Sequence, residues 1–454
     1  MMPTESTAAL ILAAGKGTRM KSSLPKVLHK IADRSLLGHV IDTVESLKCE
    51  RIVVVVGPDM ENVAEEALPH ATAIQQSQNG TADAVKPARA ALSGQGGGTI
   101  FILYGDTPFI RPETLAEMQD RRDEGAAIVV LGFRPDDPGA YGRLILSDEG
   151  GLEEIVEFQE ATPEQRAVDL CNSGVLAVDA ERLFGWVDRV KDDNAKGEFY
   201  LTDIVAIARG EGAVAAVVEA DESELMGINS RADLADAEAY WQRARRAKAT
   251  DNGVSLTDPD SVFFSYDTKI SSDVEIGPNV FFGPGVTVGQ NVQIKPFCHI
   301  EGAEIGDGAT IGPFARLRPG AVLEQDVHIG NFVEVKNTKM GRGAKANHLT
   351  YLGDATVGSR SNIGAGTITC NYDGFFKYRT VIGRDAFIGS NTALVAPVTV
   401  GDGAIVGAGS VVTREVPGNA LAVARGRQEE RAGWALDFKE TQQLKKDQLS
   451  QEKD

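Results

Sequence analysis

Residues 274–312 read VEIGPNVFFGPGVTVGQNVQIKPFCHIEGAEIGDGATIG, and the spacing of their large apolar residues decides half of the fold. Such a residue returns at six-residue intervals, usually followed by glycine: Ile276-Gly277, Phe282-Gly283, Val288-Gly289, Ile305-Gly306 and Ile311-Gly312. The pattern continues through Ile329-Gly330, Val357-Gly358, Ile363-Gly364, Ile388-Gly389, Val400-Gly401 and Val406-Gly407. The fifth place of each hexad is small or β-branched, as at Val280, Val286, Val292, Cys298, Ala309, Ala315, Ala321 and Val327. A chain that turns a tight corner every six residues needs one inward apolar side chain per short strand and a turn that tolerates glycine.

This texture begins near Ile270 and resembles the hexapeptide-repeat family, which implies a left-handed parallel β-helix with three strands, about 18 residues, per coil. The register loosens around Met340–Tyr351 and breaks at Thr369–Thr380, where TCNYDGFFKYRT interrupts the hexads. Extra residues in a solenoid leave as a loop, and such loops commonly carry function. After Arg425 the tail is polar and charged, which predicts an outer helix or a frayed end.

Upstream the texture differs. Thr7–Ala13, Ile52–Gly57, Thr99–Tyr104 and Ala127–Phe133 are short β-branched runs that read as buried strands. Leu36–Leu47 and Pro112–Arg122 between them have helical spacing. Together they predict a mostly parallel α/β sheet, with ligands gathering at the carboxyl ends of its strands. From Ala232 the sequence ADLADAEAYWQRARRAKA, free of glycine and proline, predicts one helix. The expected organisation is a nucleotide-handling domain over 1–231, a helical linker over 232–252 and a β-helix domain with its charged tail over 253–454.

At 454 residues and 42% hydrophobic content the chain is too long for one core. No run approaches the roughly 20 apolar residues of a membrane span, and no basic region precedes the first apolar run, so a cytoplasmic protein is expected. Cys49, Cys171, Cys298 and Cys370 lack disulfide-framework or zinc spacing and read as free thiols. With 65 acidic and 46 basic residues, a net charge of −19 argues against nucleic acid or an anionic membrane as partner. Phosphate substrates would then require local basic clusters.

One such cluster follows the first strand: Leu12-Ala13-Ala14-Gly15-Lys16-Gly17-Thr18-Arg19-Met20, then Pro25-Lys26. Small residues let backbone N–H groups approach a polyphosphate, and Lys16, Arg19 and Lys26 can neutralise it. GxxxxGK[ST] is absent, and Met20 stands where a dinucleotide fingerprint needs its third glycine. Tyr104-Gly105-Asp106 closes another strand, where Asp106 can reach a triphosphate-bound metal or else form an Asx turn before Pro108.

This string resembles the nucleotide-sugar pyrophosphorylases, nucleotidyltransferases of the GT-A-like (Rossmann-like) α/β type. Over residues 7 to 425 the likeness extends to the bifunctional N-acetylglucosamine-1-phosphate uridylyltransferase/glucosamine-1-phosphate N-acetyltransferases. It implies a UTP site built from Leu12, Ala13, Ala14, Gly15, Lys26, Tyr104 and Gly105, with Gln75, Gly80 and Thr81 on the uracil. It further implies Gly142, Glu157 and Asn172 on the sugar, Asp106 with Asn229 on Mg²⁺, and Arg19 with Lys26 against the charge of the reacting phosphates. One departure is Asp83, where relatives usually carry His.

In the repeat region two hexads place a cation after the inward residue, Leu317-Arg318 and Val335-Lys336, eighteen positions apart. Stacked roughly 5 Å apart on adjacent coils, they would repel unless an anion joins them, so they read as a phosphate site or as two solvated surface cations. His348 can take a proton from an amine near neutral pH, and it lies in the family string His-Leu-x-Tyr. The resemblance adds Tyr351 and Asn362 for the amino sugar phosphate, and Ala365, Asn371, Tyr372, Ser390, Ala408 and Arg425 for acetyl-coenzyme A. It also implies a homotrimer.

The expected function is acetylation of glucosamine-1-phosphate, then uridylylation of N-acetylglucosamine-1-phosphate, feeding peptidoglycan and lipopolysaccharide precursors. The rivals are a monofunctional nucleotidyltransferase whose β-helix only assembles or regulates, and a non-catalytic subunit that binds sugar nucleotides.

Overall fold

A computed structural model describes residues 6–93 and 97–451. By their internal contacts these form two compact units. The first runs to Lys248 and takes in Phe263–Tyr266; the second comprises Ala249–Val262 and the chain from Asp267 onward.

Among the described residues the first unit holds a nine-stranded sheet: β1 (Thr7–Leu12), β2 (Arg51–Val56), β3 (Ala71–Ile74), β4 (Thr99–Tyr104), β5 (Ile128–Phe133), β6 (Arg143–Leu146), β7 (Leu152–Val156), β8 (Cys171–Asp179) and β9 (Ala215–Glu219). The order is β9-β5-β8-β4-β1-β2-β3, parallel except for β8, with the β6–β7 hairpin joined to β8 at its Cys171 end. Alternation along β1 divides the core. Ala8, Leu10 and Leu12 pack with Val53, Val55, Ile100 and Ile102 on one face, while Ala9, Ile11 and Ala13 pack with Val54, Phe101 and Leu103 on the other. With both faces buried, the strands must be apolar throughout, which is why they read as continuous runs. Each fully buried Leu or Ile stabilises by about 1.5–3 kcal/mol.

The stretch read as a linker forms one helix, Arg231–Asp251. As far as Lys248 it belongs to the first unit, because Ala237 is buried with Ile31, Ala32, Leu36 and Ile228, and Trp241 packs alongside. Gln242 is buried too, donating to the Phe264 carbonyl at 2.7 Å and accepting from its N–H at 2.9 Å. Its apolar side therefore completes a small core of that unit.

The second unit is a three-sided solenoid, the left-handed parallel β-helix of hexapeptide repeats, whose three parallel sheets hold ten, eight and eight strands among the described residues. Every apolar residue of the hexad series is buried, as are the small residues at the fifth places. The glycines after the inward residues are required by close approach to the next coil. A Cβ on Gly306 would stand 2.8 Å from the Glu324 carbonyl carbon and 2.9 Å from the Leu323 oxygen, tighter than side chains tolerate.

Coil length varies more than the sequence reading allowed. Val288 lies beside Ile305, Leu323 beside Met340, and Met340 beside Val357, each pair seventeen positions apart. The largest departure is between Val357 and Ile382, which are paired twenty-five positions apart because residues 371–379 leave the coil. The charged tail carries a helix at Trp434–Gln451.

Candidate functional site

The first unit holds a cavity of about 530 Å³ at the carboxyl ends of β1 and β4. Leu12, Ala13, Ala14, Gly15, Lys26, Gln75, Gly80, Thr81, Tyr104 and Asp106 all line it, as does Lys16. Gly15 faces open space, leaving room for a ligand against its backbone. Gly105 donates its N–H to the Leu12 carbonyl at 3.0 Å and packs against Val27 and Ala13, so it shapes the wall from behind.

Lys26 ties the charged groups together. Its Nζ is paired with Asp106 Oδ2 and lies 3.1 Å from Asn229 Oδ1, which also accepts from Arg19 Nη2 at 2.8 Å. The cation thus sits between a carboxylate and an amide oxygen that converge from β4 and from the segment before the long helix. Asn229 is held in turn, since Asp233 accepts its N–H at 2.9 Å.

Gly142, Glu157 and Asn172 form an adjoining group. Asn172 donates its N–H to the Gly142 carbonyl at 2.8 Å, and a side chain on Gly142 would come to 3.7 Å of both Glu157 Oε1 and the Asn172 side chain. Tyr104 connects this group to the cavity: its ring lies against Gly174, and its hydroxyl bonds Thr81. Burial, with Asp106 and Glu157 nearby, raises the Tyr104 phenol well above its ordinary value, so it stays protonated. Burial likewise raises the Glu157 carboxyl.

Sequence reasoning missed Val27, Ser77, Gln78, Ala84 and Glu198, which complete the lining. Gln78 donates to the Ala14 carbonyl at 2.7 Å. The loop carrying Glu198 clasps the opposite wall, with Ala82 N–H on the Phe199 carbonyl and Phe199 N–H on Asn79, both at 2.9 Å. No residue motif announces that loop; only its proximity assigns it.

In the second unit the candidate residues divide between edges of the solenoid. Strands run through the three sheets in turn, and the face built on Phe281–Phe282, Arg316–Leu317, Glu334–Lys336 and Tyr351–Gly353 has an edge on each side. Arg318, Lys336 and Asn371 stand where strands leave that face. His348, Ala365, Ser390, Ala408 and Arg425 stand where the chain enters it, and Asn362 begins a strand of the preceding face.

Arg318 and Lys336 do lie on adjacent coils, since Leu317 pairs with Val335. Their repulsion is met within the chain, so no phosphate is needed to offset it. Arg318 Nη1 bonds Glu334 Oε1 at 2.8 Å, and Lys336 Nζ lies 3.8 Å from Asp354. Asp354 also accepts from Asn337 and from Asn371 at the base of the extruded loop, and those bonds hold its carboxyl below the ordinary range against its own burial. Tyr351 lies close to Arg318.

His348 lies apart from the two cations, in a cavity of about 380 Å³ with Lys295, Phe314, His328, Asn331 and Phe332. Asn331, its register partner one coil below, bonds its Nδ1 through Oδ1 at 2.6 Å. An amide oxygen accepts, so Nδ1 carries the hydrogen in this contact. Burial and Lys295 hold His328 below the ordinary histidine range, so it stays neutral beside it. Ala365, Ser390 and Ala408 continue up the same edge, where Arg425 Nη1 donates to the Ala408 carbonyl at 2.7 Å. Tyr372 projects, 60% exposed, from the loop.

Residues 9–169 match the MobA-like NTP transferase domain, and residues 267–302, 302–337 and 379–414 match the bacterial transferase hexapeptide family of six repeats. The chain is 57% identical over 447 residues, 98% of its length and 99% of the relative's, to the Bifunctional protein GlmU of Paramagnetospirillum magneticum. It is 60% identical over 435 residues, 95% of its length and 97% of the relative's, to that of Rhodospirillum rubrum. To that of Zymomonas mobilis it is 49% identical over 443 residues, 96% of its length and 98% of the relative's. With an NTP transferase domain followed by a hexapeptide transferase domain, and this likeness along nearly the whole of both chains, the protein belongs to the bifunctional GlmU family.

Proposed function

We propose that the second unit acetylates glucosamine-1-phosphate from acetyl-coenzyme A, and that the first transfers uridylyl from UTP to the resulting N-acetylglucosamine-1-phosphate. The product, UDP-N-acetylglucosamine, would supply peptidoglycan and lipopolysaccharide synthesis in the cytoplasm. Among the described residues no helix is long and apolar enough to cross a membrane.

The observation that carries the nucleotidyl reading is the cavity lined by a glycine-rich loop, Lys16, Lys26 and Asp106, with Asn229 bonded to Lys26 and Arg19 to Asn229. A sugar-1-phosphate oxygen attacks the α-phosphorus of UTP in line, the bond to the β-bridging oxygen breaks, and pyrophosphate leaves. Gly15 and its neighbours bring N–H groups to the polyphosphate, and Lys26 and Arg19 offset its charge. Asp106 and Asn229 fit Mg²⁺: both are hard oxygen donors, and they already hold a cation, the Lys26 ammonium, between them. When bound, Mg²⁺ supplies charge neutralisation on the phosphate oxygens.

In the second unit His348 Nε2 is the base. It takes a proton from the ammonium of the amino sugar; the freed nitrogen bonds to the acetyl carbon and the C–S bond breaks. One proton reaches the departing thiolate and the other leaves to water. We infer that Arg318, Lys336, Tyr351 and Asn362 hold the sugar phosphate, and that the edge from Ala365 through Ser390 and Ala408 to Arg425, with Asn371 and Tyr372, holds acetyl-coenzyme A. We also propose a homotrimer whose chains complete one another's acetyl sites, a reading supported by the placement of His348 and the two cations on different edges. Incubating the protein with acetyl-coenzyme A, glucosamine-1-phosphate, UTP and Mg²⁺ should yield UDP-N-acetylglucosamine by mass. Accumulation of N-acetylglucosamine-1-phosphate alone would leave the first unit without its assigned activity.

A further inference from the structure

Asp83, the residue that departs from the expected pattern, faces Gln75. Gln75 Nε2 donates to Asp83 Oδ2 at 2.9 Å and to the Gly80 carbonyl at 3.1 Å. A backbone carbonyl and an ionised carboxylate are acceptors only, so the amide can sit in just one of its two orientations. Asp83 is itself fixed, because its Oδ2 also accepts from Asn79 N–H at 3.2 Å. Both Gln75 N–H groups are therefore consumed inside the wall. Its Oε1 has no hydrogen-bond partner among the described residues, and the side chain, only 5% exposed, lines the cavity.

We propose that Asp83 is a positioning residue that sets base selectivity, locking Gln75 so that the site offers an acceptor and no donor at this point. A pyrimidine with N3–H, as in uracil, can donate to Gln75 Oε1. Cytosine presents an N3 lone pair and an amino group in the corresponding places, so two acceptors would face each other. Sites that fix a buried polar group in this way reject the mismatched partner strongly, because the mismatch leaves both groups unpaired. This inference rests on the reading of the cavity as the UTP site.

The test compares Asp83→Asn, Asp83→Ala and Asp83→Glu with the unaltered protein, measuring kcat and KM for UTP and for CTP with N-acetylglucosamine-1-phosphate as acceptor. Asp83→Ala removes one of the two locks, whereas Asp83→Asn can place its amide oxygen where Oδ2 accepts from both Asn79 N–H and Gln75 and so keeps the orientation. Asp83→Ala should narrow the preference for UTP over CTP by about tenfold or more, mainly by raising the KM for UTP, with kcat at saturation little changed, and Asp83→Asn should retain most of it. Asp83→Glu keeps an acceptor-only group and should retain most of the preference. Acetylation of glucosamine-1-phosphate and circular dichroism of each preparation verify that the protein is folded. A UTP:CTP ratio in folded Asp83→Ala equal to that of the unaltered protein overturns the proposal, as does an equal fall in kcat for both nucleotides. If the unaltered protein transfers no uridylyl group, it is the reading of the cavity that fails.

Discussion

Gly80→Ala is the perturbation that tests the cavity wall most directly. Gly80 has φ 111° and ψ 178°, a region closed to other residues at about 1–3 kcal/mol. A Cβ there would lie 2.5 Å from the Phe199 carbonyl oxygen and 2.7 Å from its nitrogen. Forcing it in adds an overpacking cost of about 1–3 kcal/mol. The loop relieves this by moving away from Phe199, which draws the Gly80 carbonyl off Gln75 and opens the Asn79–Phe199 bond. Some of the roughly 2–6 kcal/mol is recovered by that shift, and about 3 kcal/mol is expected to remain against UTP. At about 1.4 kcal/mol per tenfold, kcat/KM for UTP should fall by about 100-fold. Pyrophosphate release measured against UTP concentration reads this directly, and acetylation by the same preparation should stay within about twofold. A KM for UTP within about twofold of the unaltered protein, in a folded variant, would mean that Gly80 does not border the base.

Other outcomes follow from the same geometry. Asp106→Ala should abolish uridylyl transfer and leave acetylation near normal, because the loss acts on one unit; equal loss of both activities in a folded protein would contradict the two-site reading. Burial together with Asp193 and Glu157 raises the Asp203 carboxyl to about 6, so the folded state holds that proton more tightly than the unfolded chain. The resulting stability is present below the ordinary carboxyl value and is lost as pH rises through about 6. Asp203→Asn should therefore stabilise by about 1 kcal/mol at pH 8, allowing for solvent screening, and by much less at pH 4.5; equal gains in denaturant melts at both pH values would refute this. A fragment ending at Tyr266 should keep uridylyl transfer, whereas one ending at Arg231 should melt lower, having lost Ala237 and Trp241 from a small core. Equal melting would show that the helix adds nothing. Finally, His348→Ala co-refolded with a chain truncated before Arg425 should acetylate more than the sum of the two refolded alone; no gain, with mixed trimers confirmed by mass, would assign each site to a single chain.

The periodic parts of this protein were legible in its sequence because each hexad repeats one local demand. Ile276, Val288 and Ile311 face inward for the same reason, and errors cannot accumulate when every coil restates the rule. The seventeen-residue coils were harder to see, since one missing corner residue leaves the inward series almost intact. On the nucleotide side, the strand ends and the glycine-rich loop carry their own chemistry in sequence. Glu198 and Phe199 do not: they reach the wall across more than a hundred residues of chain, and nothing in KGEFYLTD declares it. The anions beside Arg318 and Lys336 were hidden for a related reason. Glu334 lies two residues before Lys336 yet serves the cation one coil below, a pairing that only the register of the coils creates.

The variable coil length has a kinetic meaning. Most turns of the solenoid close on a rung sixteen to twenty residues back, so the contacts are local for an all-β structure and assembly can proceed by zippering from any completed coil. The single long excursion, from Val357 to Ile382, scarcely disturbs that process. Closure entropy grows only with the logarithm of loop length, so twenty-five residues instead of eighteen raise the cost of that one step by about 0.3 kcal/mol. A loop inserted at a corner is therefore nearly invisible to folding, whereas a residue added within a strand would turn every later side chain on that rung to the wrong side.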